Sequence, residues 1–271
     1  MNKKKLRQLL IGDFSWQRLV RSIIFVYVAI GFWGYFFSNS LIFQPQPATY
    51  SDTSEILKLK SANGELISAV YLPNDEAKYT ILYSHGNAED LGDILPVLQE
   101  IQAMGFAVFS YDYQGYGTSG GQPTVAKSYQ DIDAAYHYLT QTLGISPNQI
   151  IIYGRSVGGG PSVDLAARQP VAGLILESAF VSAFRALTQV PLYPFDKFEN
   201  LAKMKQVNCP VLVMHGREDE VVRFWHGQAL FAAAKEPKLS LWVEGAGHNE
   251  VMWVAGDRYS AALRDFVELL P

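Results

Sequence analysis

Six short runs in this chain are apolar without alternation: "TILYSHG" (80–86), "AVFSYDY" (107–113), "QIIIYGRS" (149–156), "GLILESAF" (173–180), "PVLVMHG" (210–216) and "LSLWVEG" (239–245). A strand with one wet face alternates apolar and polar side chains. Continuous Val, Ile, Leu and Tyr belong instead to strands covered on both faces, as in a parallel sheet. Segments of helical length lie between and after these runs, at about 90–104, 123–142, 157–169, 221–236 and 250–269. Parallel neighbours must be joined by a crossover, so this alternation predicts an α/β domain with a mostly parallel sheet flanked by helices. Upstream, "EILKLKSANGELISAVYLP" carries two alternating runs around Asn63-Gly64, which predicts a hairpin. Residues 181–206 depart from the pattern with two prolines and several aromatics. They read as a short, partly helical lid insert beyond a strand's carboxyl end, where open α/β sheets bind ligands. The domain so defined covers 55–271.

The N-terminus is different in kind. Residues 22–43, "SIIFVYVAIGFWGYFFSNSLIF", run 22 residues without a charge. At about 1.5 Å per residue they are long enough to cross a bilayer, and they read as an N-terminal transmembrane helix that anchors the chain. The segment 1–21 ahead of it is basic, with Lys3, Lys4, Lys5, Arg7, Arg18 and Arg21, whereas the first basic residues afterwards are Lys58 and Lys60. That asymmetry predicts a single-pass membrane protein with a cytoplasmic N-terminus and the domain on the extracytoplasmic side. The other reading is a cleaved signal peptide, for which Ser38-Asn39-Ser40 offers small residues, although the apolar run exceeds the ~7–15 residues of a signal core. Asn at position 2 excludes myristoylation. Gln44-Pro45-Gln46-Pro47 opens a stiff linker, 44–54, between span and domain.

Composition narrows the partners. The chain has 49% hydrophobic and 18% charged residues and a net charge of −4, which gives no basis for nucleic-acid binding. Cys209 is the only cysteine, so no intramolecular disulfide or Cys-based metal site can form. His85, His137, His215, His226 and His248 are scattered without metal-ligand spacing. No metal or cofactor is expected, and the chain is expected to act as a monomer.

The chemistry centres on "YGRSVGGG" (153–160). Gly-x-Ser-x-Gly is a loose pattern by itself, but here an apolar strand runs directly into it and a helical segment follows. That context makes a nucleophile elbow, with Ser156 on a sharp strand-to-helix turn. A serine hydroxyl needs a base, and the base a carboxylate to orient it, in the chain order Ser, Asp or Glu, His for this kind of sheet. "HGREDEVV" places Glu218, Asp219 and Glu220 at one strand end, and "VEGAGHNE" places His248 after the last strand. Asp219 is preferred because it sits in the usual HGxxDxxV arrangement, which leaves Glu218 and Glu220 as solvated loop carboxylates. His137 falls within a helix and His226 begins one, while His85 and His215 precede glycines at strand ends and are expected to fix loops. Acyl transfer also requires oxyanion donors: the N–H of Val157, and a second N–H from the loop "YSHGNAED", assigned to Asn87. The alternative for Asn87 is a cap on the next helix. Arg155 is left either holding a nearby carboxylate or facing solvent.

"SHGNAEDLG", "FSYDYQGYGTSGG", "YGRSVGGGPSVDLAAR", "VLVMHGREDEVV" and "LWVEGAGHNE" together carry a resemblance. From about Thr80 onward the chain resembles the α/β-hydrolase superfamily, and most closely the membrane-associated group that includes the eukaryotic protein depalmitoylases. The resemblance implies a Ser156-Asp219-His248 serine hydrolase working through an acyl-enzyme on esters or thioesters of long acyl chains. Two departures are visible. The chain lacks the N-terminal cysteine cluster that those relatives lipidate, and the charge rule puts its domain on the side opposite theirs. The expected function is a membrane-anchored serine esterase or thioesterase acting on an acyl ester or thioester. A peptidase of the same fold and a non-catalytic small-ligand or lipid-binding module are the alternatives.

Overall fold

The computed structural model of the protein describes residues 15–271. Of the basic segment 1–21, Lys3, Lys4, Lys5 and Arg7 therefore lie outside the described residues. The chain divides into two units, Met1–Ser38 and Asn39–Pro271.

In the first unit, helix α1 spans Trp16–Phe37, 22 residues with no acidic residue in its first turn and no basic residue in its last. Its length and apolarity suffice to cross a membrane, and so would those of a signal sequence. The expected bounds of 22–43 for the apolar segment and 44–54 for a linker differ from this. Arg18 and Arg21 are inside α1, the helix stops at Phe37, and α2 (Asn39–Ile42) begins the second unit. Phe43 is 3% exposed and belongs to the core of that unit. Nor do the next residues hang free: the Thr49 N–H donates to Asp90 Oδ2 at 2.8 Å and the Tyr50 hydroxyl to Asp112 at 2.5 Å. Apolar side chains read alike whether lipid or a protein core receives them, which is why the sequence merged the two.

The second unit is built on one eight-stranded sheet. In chain order its elements are β1 (Leu57–Lys60), β2 (Leu66–Leu72), β3 (Thr80–Ser84), α3 (Leu91–Ala103), β4 (Ala107–Tyr111), α4 (Val125–His137), β5 (Ile150–Arg155) and α5 (Gly159–Arg168). There follow β6 (Gly173–Glu177), α6 (Ala183–Thr188), α7 (Asn200–Met204), β7 (Val211–Gly216), α8 (Trp225–Ala233), β8 (Lys238–Val243), α9 (Val251–Ala255) and α10 (Asp257–Val267). The strand order is β1-β2-β4-β3-β5-β6-β7-β8. β1 and β2 form the hairpin around Asn63-Gly64, β2 pairs antiparallel with β4, and every pairing from β4 to β8 is parallel.

The continuous apolar runs are explained by where alternate residues go. Leu82, Phe109, Ile152 and Leu174 enter one buried cluster together with residues of α4 and α5. Ile81, Tyr83, Val108, Ile151 and Ile175 enter a second cluster with α3, α9 and α10. Both faces of each central strand are thus covered, which is why most positions are apolar, with Ser84, Ser110 and Glu177 as buried polar exceptions. Helix α3 shows the matching one-sided pattern, burying Leu91, Ile94, Leu98 and Ile101. It starts at Asp90, whose carboxylate accepts the N–H groups of Gly92 and Asp93, while the Asp93 carboxylate returns to the Asp90 N–H. The insert 181–206 contains the short helices α6 and α7, with Leu187 76% exposed.

Asp90 is buried and joins the helix cap to Thr49. Asp90→Ala is therefore expected to lower stability by about 2 kcal/mol, at the upper end of cap losses, as read from the midpoint of urea unfolding with the m-value unchanged.

Candidate active site

β5 lies between β3 and β6 near the middle of the sheet, and its carboxyl end carries the turn to α5. Ser156 sits in that turn with φ 52°, the left-handed region that costs a residue with a Cβ. The turn survives because its neighbours are glycines. A Cβ on Gly154 would lie 2.6 Å from both Gly158 O and Ser162 Oγ, and one on Gly158 would overlap Ser84 O. The strand and helix thus close to backbone contact and push the Ser156 side chain outward from the strand end.

Two loops from other strand ends meet it. His248 follows β8, and its Nε2 is 2.9 Å from Ser156 Oγ. Asp219 follows β7, and its Oδ2 is 2.7 Å from His248 Nδ1. Asp219 is 5% exposed, whereas Glu218 and Glu220 on either side of it are exposed. Its Oδ1 accepts the N–H groups of Val221 (2.9 Å) and Val222 (2.7 Å), so its orientation is set by the backbone. Burial would raise the Asp219 pKa. Hydrogen bonds from His215, His248 and the Val222 N–H outweigh that, and hold the carboxyl well below the usual carboxylate range. It is therefore an anion at neutral pH.

The other histidines have different surroundings. His85 and His215 are fully buried and bond the loops beside them, at Gly86 O (2.8 Å) and Val222 O (2.7 Å) respectively. His137 ends α4. His226, in the first turn of α8, accepts the Val181 N–H on Nδ1 at 3.2 Å, which requires the neutral ring. Burial, with the electrostatic influence of His215 and Arg185 nearby, pushes its pKa down to about 4. An unfolded histidine titrates near ~6.5, so between these values the unfolded chain holds the extra proton and stability falls as pH falls. His226→Asn, which keeps an acceptor, is expected to flatten the decline in melting temperature between about pH 6.5 and 4, as a pH series of thermal unfolding curves would record.

Val157 and Asn87 lie three residues beyond the last paired residues of β5 and β3. Ser84 pairs with Gly154, so the loop that begins at His85 runs alongside Arg155–Val157. Val157 is in the first helical turn, where N–H groups lack intrahelical partners. The Asn87 N–H donates to no group among the described residues. Its side chain does not cap a helix, since Asp90 does that. It bonds Ile42 O, the Gln44 N–H and the Tyr116 hydroxyl instead.

Arg155, unassigned from sequence, ties the loops together. It donates to both oxygens of Glu89 (2.6 and 2.7 Å) and to Asn249 Oδ1 (2.6 Å), and its Nε is 3.6 Å from Glu177. Glu89 in turn accepts the Gly86 N–H at 2.5 Å, and Glu177 accepts from Tyr153 at 2.5 Å. One cation thus connects the loop after β3, the serine turn and the residue next to His248. Sequence reasoning missed Glu89, Glu177 and Asn249, and no local spacing could have found them, because Glu89 and Asn249 are 66 and 94 positions from Arg155. Among the described residues no group of three or more His, Cys, Asp or Glu is placed to hold a metal ion. The Arg155 side chain is only 12% exposed, so Arg155→Ala strands the buried Glu177 and the partly buried Glu89 and is expected to cost about 3 kcal/mol. Arg168→Ala removes a side chain 40% exposed and is expected to cost under about 1 kcal/mol. Urea unfolding of the two variants side by side checks the contrast.

The profile of a family described as serine aminopeptidase, S33 matches residues 75–202. The chain is 43% identical over 222 residues to α/β hydrolase domain-containing protein 17B of Homo sapiens, an alignment that covers 80% of this chain and 76% of the relative. It is 38% identical over 220 residues to α/β hydrolase domain-containing protein 17C of Xenopus tropicalis, covering 80% and 70%. Among solved structures it superposes on the Pyrococcus furiosus esterase Pf2001 with a TM-score of 0.69 at 18% identity, covering 83% of this chain and 98% of that one. The esterase RhEst1 from Rhodococcus sp. ECU1013 gives 0.64 at 20% identity, over 80% and 100%. At such identities these last two matches speak to the fold alone.

Proposed function

Because this chain belongs to the α/β hydrolase domain-containing protein 17 family of the α/β-hydrolases, we propose that it is a serine hydrolase of carboxylic esters or thioesters that works through an acyl-enzyme. The observation that carries the proposal is the relay from Ser156 Oγ through His248 to Asp219, with contacts of 2.9 and 2.7 Å. In the first step Ser156 Oγ attacks the acyl carbon as its proton passes to His248 Nε2. The backbone N–H groups of Val157 and Asn87 receive the oxyanion. Asp219 keeps Nδ1 protonated and stabilises the imidazolium. The proton then leaves with the alcohol or thiol, Ser156 stays acylated, and water activated by His248 releases the acid.

The apolar helix α1 supports the further proposal that the enzyme is anchored in a membrane, and the basic residues 1–21 support a cytoplasmic N-terminus with the domain on the other side. Its substrate is then a small-molecule or lipid acyl ester or thioester reached from that side, and a monomer suffices because the whole relay comes from one chain. The aminopeptidase description of the matching family profile favours a second reading, a peptidase of the same fold. Offering aminoacyl amides and acyl esters in one assay separates the two.

Ser156→Ala is expected to lose both fluorophosphonate labelling and p-nitrophenyl ester hydrolysis. Asp219→Asn is expected to lower kcat by about 10⁴-fold through the wrong histidine tautomer, while Glu218→Gln and Glu220→Gln stay within about twofold. Labelling that persists in Ser156→Ala would overturn the mechanism.

A further inference from the structure

The residues just after α1 in the chain are bonded to the loop proposed to hold the oxyanion. The Asn87 amide spans this segment: Nδ2 donates to Ile42 O at 2.8 Å, and Oδ1 accepts the Gln44 N–H at 2.9 Å. One side-chain amide thus bridges the last residue of α2 and the residue two positions beyond it. The Tyr116 hydroxyl locks the pair, donating to Asn87 Oδ1 at 2.6 Å and accepting the same Gln44 N–H at 2.9 Å. Between the two bonded residues, Phe43 enters the core with its ring 6.3 Å from Tyr113 and 6.0 Å from Phe198. Tyr113 in turn donates to His85 O at 2.7 Å, at the start of the same loop.

The loop needs such support. Ala88 follows Asn87 with φ 58°, a conformation that persists only where the surroundings enforce it. On one side the Arg155–Glu89 pair holds Gly86. On the other side every side-chain bond of Asn87 outside its own loop goes to Ile42, Gln44 or Tyr116. We propose that Ile42–Gln44 is a positioning element of the active site: through Asn87 and Tyr116 it aims the Asn87 N–H at the developing oxyanion. The segment that leaves the apolar helix would then be part of the catalytic apparatus and not a tether. The proposal rests on the serine-hydrolase reading above.

The test uses the full-length chain in detergent, with ester hydrolysis normalised to the amount of Ser156 that a fluorophosphonate labels to completion, so that misfolded protein does not count. Losing an oxyanion donor costs about 10²–10³ in kcat, so a donor merely released from its aim is expected to cost about tenfold or more in Asn87→Ala and about fivefold in Tyr116→Phe, with KM changed by less than about twofold. Asn39→Ala removes a different tie of the same segment, the acceptor for the Val125 N–H, and is expected to keep the wild-type kcat. If Asn87→Ala does not fold, Tyr116→Phe, which retains the ring, decides. A kcat per labelled serine within about twofold of wild type in the variants that fold overturns the positioning role alone. Wild-type protein that takes no label on Ser156 overturns the serine-hydrolase reading, and the positioning role with it.

Discussion

The backbone contact between β5, α5 and the end of β3 is the constraint on which the site depends. Gly154 and Gly158 leave no room for a Cβ against Gly158 O and Ser84 O, and that closeness turns the chain sharply enough to hold Ser156 at φ 52°. The strain is affordable because both faces of the sheet beneath are packed, by α4 and α5 on one side and α3, α9 and α10 on the other. A rigid, doubly covered sheet can impose a local conformation that costs of order 1–3 kcal/mol. The same sheet brings β7 and β8 alongside, so that their loops deliver Asp219 and His248 to one point.

Charge organises what backbone contact leaves free. Asp219 is fixed by two N–H groups and two histidines, which makes it an anion of set direction. Arg155 does the corresponding work beside the serine turn, where it meets Glu89, Glu177 and Asn249. Buried pairs of this kind add little net stability compared with apolar packing, yet they are costly to break. Their use here is geometric: they hold three loops whose sequences share no local interaction.

The legible and illegible parts of the molecule divide by the range of the interactions involved. Non-alternating runs such as Gly173–Glu177 announced strands with two dry faces, and the Asn63-Gly64 signal announced the hairpin, because both depend on residues next to one another. Ser156, Asp219 and His248 could be named for a similar reason, since each follows a recognisable strand. The choice of Asp219 over Glu218 and Glu220 agrees with its burial. The N-terminal bounds were not legible: Phe43 looked like the end of an apolar span, and only its packing against Tyr113 and Phe198 assigns it to the domain. Arg155 and the side chain of Asn87 were equally opaque, since their partners are far away in the chain.

By itself the amino-acid order determined an α/β sheet, a serine at a strand-to-helix turn, and an acid and a histidine at later strand ends, because periodicity, glycine spacing and strand ends are local properties. The tertiary structure decided where the domain begins, what Arg155 holds and how residues 42–44 meet the loop after β3. Those contacts join segments dozens of residues apart, and they exist only once the sheet has placed its strand ends side by side.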